Sequence, residues 1–85
     1  MKAKYKHYGN DCIIYDQVIC EDNIVVTVTY YHGSWCINKP EVKTTVHLTN
    51  AEARSVFHHM CNRLEKAGYE CIYKEELTND GTENT

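Results

Sequence analysis

CIIYDQVICEDNIVVTVTYY, residues 12–31, holds two runs rich in β-branched and aromatic residues around a short polar break. Residues 12–20 and 24–31 each have the length and composition of a strand, and Glu21-Asp22-Asn23 lets one return antiparallel to the other as a hairpin. In the second run Ile24, Val26, Val28 and Tyr30 share one face, and Val25, Thr27, Thr29 and Tyr31 the other. The first set is the more apolar, so it is expected to face the core, with the threonine face turned to water.

Downstream, YYHGSWCINKP (residues 30–40) gathers two tyrosines, a histidine, the only tryptophan, a cysteine and the only proline. His32 and Gly33 are expected to mark a turn there. EVKTTVHL, residues 41–48, alternates again, with Val42, Thr44, Val46 and Leu48 on one face. It reads as a third strand with one side buried. Thr49-Asn50-Ala51-Glu52 then fits a capping box, in which Thr49 and Glu52 satisfy orphan backbone donors at a helix start. Ala53, Val56, Phe57, Met60, Cys61, Leu64 and Ala67 follow at helical spacing and form a single stripe. Arg63 and Lys66 suit the last turns, and Gly68 sits where a C′ glycine belongs. YECIYK, residues 69–74, reads as a closing strand with Tyr69, Cys71 and Tyr73 on one face.

Upstream, Gly9-Asn10-Asp11 is a turn signal. KAKYKHY, residues 2–8, is a candidate edge strand whose lysines would discourage stray pairing. The expected fold is therefore α+β: a small, mostly antiparallel sheet of 3–5 strands in β-β-β-α-β order, with one amphipathic helix on one face. Residues 1–75 would form a single domain and residues 76–85 a disordered acidic tail.

Composition narrows the function. Eighty-five residues with 42% apolar side chains suffice for one small core, which leaves stability thin without a staple or a partner. Net charge is −3, and residues 1–74 are close to neutral. That balance disfavours a protein whose main task is coating nucleic acid. No apolar segment follows MKAKYKHY, so no secretory leader is expected, and no run approaches the roughly 20 apolar residues of a membrane span. Five cysteines, an odd number, speak against a disulfide framework. The expected setting is the cytoplasm, where thiols stay reduced.

No catalytic or cofactor motif is present, and the chain is expected to be no enzyme and to need no cofactor. Five histidines and five cysteines raise the question of zinc. His58 and Cys61 are neighbours on one helix flank, and His32 and Cys36 are four apart in the loop. Neither forms the tight C-x₂-C or H-x₃-H pair by which structural zinc sites declare themselves. A zinc-dependent domain is thus the second alternative reading, and no metal ligand is assigned. Cys36 beside His32 has the residue types of a nucleophile and base, but no oxyanion site accompanies them.

The leading expectation is a binding module that works by occupying a protein partner within a larger host complex. Tyr31, His32 and Trp35 on the rim loop, with Thr27, Thr29 and Thr45 on the uncovered sheet face, are the proposed contacts, since Tyr and Trp concentrate binding energy. Small acidic proteins of this type are common among phage or mobile-element accessory proteins that inhibit host machinery, anti-CRISPR inhibitors among them. The alternative is a small nucleic-acid-binding or transcription-regulating domain using Lys2, Lys4 and Lys6, which interleave with Tyr5 and Tyr8 as in single-strand binders. A homodimer through the open sheet face would add buried surface to so small a core.

Overall fold

The structure, a computed structural model, describes residues 1–33 and 39–76. Its elements in chain order are β1 (Lys2–Tyr8), β2 (Cys12–Glu21), β3 (Ile24–Gly33), β4 (Glu41–Val46), α1 (Asn50–Lys66) and β5 (Glu70–Glu75). The strands form one sheet in the order β4-β3-β2-β1-β5, and every neighbouring pair is antiparallel. The two edge strands, β4 and β5, therefore run in the same direction. The segment between them must cross back over the sheet, and α1 is that crossing.

The α+β class stands, with an element order of β-β-β-β-α-β. KAKYKHY is a strand but not an edge: β1 lies between β2 and β5, with Ala3 opposite Val18 on one side and Lys74 on the other. Alternation along β1 puts Ala3 and Tyr5 on one face and Lys2, Lys4 and Lys6 on the other.

That alternation decides which face of the sheet meets the helix. Ala3 and Tyr5 are wholly buried, together with Val18 and Cys20 of β2, Val25 of β3 and Ala53, Phe57 and Cys61 of α1. Met1, Val56, Met60, Leu64 and Tyr69 pack around them. Small side chains at Ala3, Cys20, Ala53 and Cys61 let the helix lie close to the strands. Phe57 and Tyr5 supply most of the bulk, and burial of a side chain as large as Phe57 contributes about 1.5–3 kcal/mol.

The face expectation for β3 is thereby reversed. Register ties Lys4 to Gln17, Gln17 to Val28 and Val28 to Val42 in one cross-sheet row. Burying the three β1 lysines under a helix would strand their charges. Their face is left open, and Ile24, Val26, Val28 and Tyr30 stay outside with them. Thr27, Thr29 and Thr45, expected on the uncovered side, belong to the helix side instead.

Smaller corrections follow from the same geometry. β3 continues through Tyr31, His32 and Gly33, so His32 and Gly33 belong to the strand. Gly33 is required there, because a Cβ would fall 2.7 Å from the Asp11 carbonyl oxygen. In β5 the pairing shifts by one residue: Tyr73 lies opposite Lys4, but Cys71 lies opposite Tyr5. Ile72 is the extra residue of this bulge, and Cys71 and Tyr73 take opposite faces. Ala67 is exposed, and β4 carries exposed side chains throughout. Residues 77–85, most of the expected tail, and Trp35 lie outside the described residues.

Candidate partner interface

The open face is built in rows. Lys6, Tyr15 and Tyr30 form one, Lys4, Gln17, Val28 and Val42 the next, then Lys2, Ile19, Val26 and Thr44. Glu21, Ile24 and Val46 close one end, and Tyr8, Ile13 and His32 the other. Ile19, Val26, Val28, Val42 and Val46 make its middle and its β4 side largely aliphatic. Val42 is 59% exposed and Val46 70%, and Leu48 beyond them is 93% exposed. Nothing in the described residues covers this side.

Beside Lys4 and Lys6 of β1 the face is aromatic and basic, with Tyr15 of β2 and Tyr30 of β3. Tyr15 and Tyr30 stack with centroids 5.0 Å apart and planes inclined by 18°. The Lys4 ammonium lies over both rings, 5.1 and 5.4 Å from their centroids, within cation–π range. Lys6 sits 5.5 Å above the Tyr8 ring. Hydrogen bonding to Tyr30 raises the Lys4 pKa against the opposing pull of burial. Tyr8, and next the Glu70 carboxylate, raise that of Lys6. Both ammoniums are therefore charged at neutral pH. Gln17 Nε2 donates to the Tyr73 hydroxyl at 2.8 Å, joining β2 and β5 across the top of β1.

Charge on this face balances. Lys2 lies opposite Glu75, and Lys6 opposite Glu70. Glu21 sits at the end of the same face, so three lysines meet three glutamates. Such a surface has no strong field of either sign.

The helix side carries a different feature. A groove of about 350 Å³ runs between the C-terminal half of α1 and strands β2–β4. Thr27, Thr29, Asp16, Glu41, Lys43 and Arg63 line it, with Met60 and Leu64 at its apolar wall. The Thr29 hydroxyl donates to Asp16. The Thr45 hydroxyl contacts the His47 ring at 2.9 Å. The structure thus brings Thr27 and Thr29 together, but in a groove with opposed charges rather than on a flat surface.

Of the rim residues, Tyr31 is on the helix side and His32 on the open side, so they do not form one patch. Lys2, Lys4 and Lys6 do share a face, with His32 at its far end. Cys61 is buried beside Phe57, while His58 is exposed and 3.5 Å from Glu76, so that pair is split between core and surface. Among the described residues no group of three or more His, Cys, Asp or Glu is placed to hold a metal ion. No described helix is long and apolar enough to cross a membrane.

The reading of the sequence missed Ile13, Tyr15, Ile19, Val26, Val28, Tyr30, Val42 and Tyr73 as surface. The signal was available in KAKYKHY, where lysine alternates with Ala3 and Tyr5 and marks the face that stays wet. Comparison with known proteins adds no constraint to this geometry: no protein-family model, curated protein or solved structure matches the chain.

Proposed function

We propose that the protein is a non-enzymatic binding module whose open sheet face docks on a protein partner. The observation that carries this reading is a broad, charge-balanced sheet face with an aliphatic middle and no covering element among the described residues. Soluble proteins rarely leave such a patch unoccupied. Five strands about 4.8 Å apart and about seven residues long present roughly 600 Å² in projection, near the scale of a standard interface, about 800 Å² per partner. The matching partner surface is apolar at its centre and polar at its rim. Inhibition of a host macromolecule, as by phage or mobile-element accessory proteins of the anti-CRISPR kind, is the narrower form of the proposal. Its support is the small, single-domain, motif-free character of the chain. A cytoplasmic setting goes with it, since the four described cysteines are unpaired.

The test is comparative capture. Wild-type protein and a Val28→Glu/Val42→Glu variant are used as bait in nuclease-treated lysate. The expected result is a stoichiometric protein retained by the wild type and lost by the variant, with the two melting temperatures alike. Equal capture by both would remove the face from consideration. Loss of the captured protein's activity on adding wild-type module is expected if it acts as an inhibitor.

One observation favours a second reading. Lys4 over the Tyr15–Tyr30 stack resembles the basic and aromatic platforms on which single-stranded nucleic acid lies. The balancing glutamates weigh against it. A steep fall of oligonucleotide affinity with salt would support it, and a flat response would remove it.

A further inference from the structure

We propose that two copies of the chain join through β4, antiparallel and in one register, to make a continuous ten-stranded sheet. This goes beyond the docking of the open face and does not depend on it, because it uses the sheet's edge.

The two edges are unlike. β5 carries Glu70, Lys74 and Glu75 and is interrupted by the bulge at Ile72, both devices that blunt an edge. β4 has neither. Its six residues, EVKTTV, pair with β3 without a shift and are all exposed. Val42, Thr44, Thr45 and Val46 are β-branched and suited to further pairing.

The backbone shows which groups are free. His47 N donates to Asn23 O at 2.8 Å, and Ile24 lies opposite Val46 one step along. Antiparallel ladders alternate bonded and non-bonded pairs, so Thr45, Lys43 and Glu41 turn their N–H and C=O groups toward β3. Val42, Thr44 and Val46 turn theirs outward, where no described strand meets them.

A second β4 must keep helix side with helix side, so residues of like face pair. One allowed register sets Lys43 against Lys43, which repels. Moving by one pair sets Val42 against the partner's Val46 and Thr44 against the partner's Thr44. Lys43 then meets the partner's Thr45, and Glu41 meets the partner's His47. About six hydrogen bonds would form between the chains, two for each outward pair. The valines would extend the apolar face across the junction without a break.

Two measurements test this together. Sedimentation equilibrium should show a concentration-dependent dimer for wild type and for Val28→Glu, and a monomer for Thr44→Pro. Proline there removes an outward N–H and leaves the β3 ladder its donors. Amide exchange by NMR, which needs no variant, should show Val42, Thr44 and Val46 protected increasingly as concentration rises. A protein that stays monomeric at NMR concentrations, with those three amides exchanging freely while Lys43 and Thr45 are protected, would overturn the proposal. So would a dimer lost in Val28→Glu and kept in Thr44→Pro, which would place self-association on the open face. Failure of partner capture alone leaves the edge proposal standing, and failure of dimerisation leaves the capture result standing.

Discussion

Tyr5 joins the three parts of the core. Its ring is wholly buried beneath α1, and its hydroxyl donates to Glu65 Oε2 at 2.6 Å. Lys74 Nζ reaches the same oxygen at 2.8 Å, so β1, α1 and β5 meet at one carboxylate. Removing the hydroxyl alone, Tyr5→Phe, should lower stability by about 1 kcal/mol, read from urea midpoints at unchanged m-value. The Lys74 ammonium and next the Tyr5 hydroxyl hold the Glu65 carboxyl below its usual pKa, and Lys74 is raised by the same contact. A depressed acid favours folding above its unfolded pKa and loses that contribution as pH falls through the folded value. A raised lysine favours folding below its unfolded pKa and loses that contribution as pH rises through its folded value. Melting temperature should therefore decline at both extremes, and the acid limb should flatten in Lys74→Met. Thiol chemistry offers a second check at this scale. Burial pushes the Cys20 and Cys61 thiols up, while Cys71 is exposed. Under native conditions iodoacetamide should label Cys71 well before Cys20 or Cys61, as read by peptide mapping. Labelling of Cys61 at the same rate would contradict the packing around Tyr5.

Among the elements, α1 was the most legible. Thr49 Oγ1 accepts from Glu52 N at 3.0 Å, as the capping box requires. The return bond goes one residue further out than expected, from Leu48 N to Glu52 Oε1 at 2.9 Å. Gly68 adopts φ +92° at the other end, a conformation that suits glycine at C′. Thr49→Ala should cost about 1 kcal/mol. Phe57→Ala should cost about 3–5 kcal/mol, a large part of the total stability of so small a domain. Thermal melts of the two variants should rank them in that order. Helix signals are local, within four residues, which is why sequence alone suffices for them. The β2–β3 hairpin was legible for the same reason. The bulge at Ile72 was not, because nothing in YECIYK reports the mismatch between its alternation and that of β1.

At the scale of the whole molecule, the face of the sheet that carries the helix could not be settled from β3 alone. Its own two faces favour burying Ile24, Val26 and Val28. The outcome depends on β1 lying two strands away, whose lysines share a face with those residues only once the register is known. Such information is non-local, and so the apolar candidate interface was assigned to the core. The threonines were assigned to the surface by the same step. The lysines themselves were found, but as guards of an edge and as candidate nucleic-acid contacts rather than as part of a protein-docking face.

The position of β1 also imposes an order in time. Strands β1 to β4 form a simple meander from neighbours in sequence, so they can pair as soon as each leaves the ribosome. Until residues 70–75 emerge, the meander has two open margins, and the one beside β1 is regular, apolar on its helix side and uncapped. Only after α1 has crossed the sheet can β5 reach that margin and seal it, joining the first described strand to the last. Closing so distant a contact is slow relative to hairpin formation. The final six-residue strand is therefore less a late addition than the step that ends the chain's period of greatest risk from mispairing.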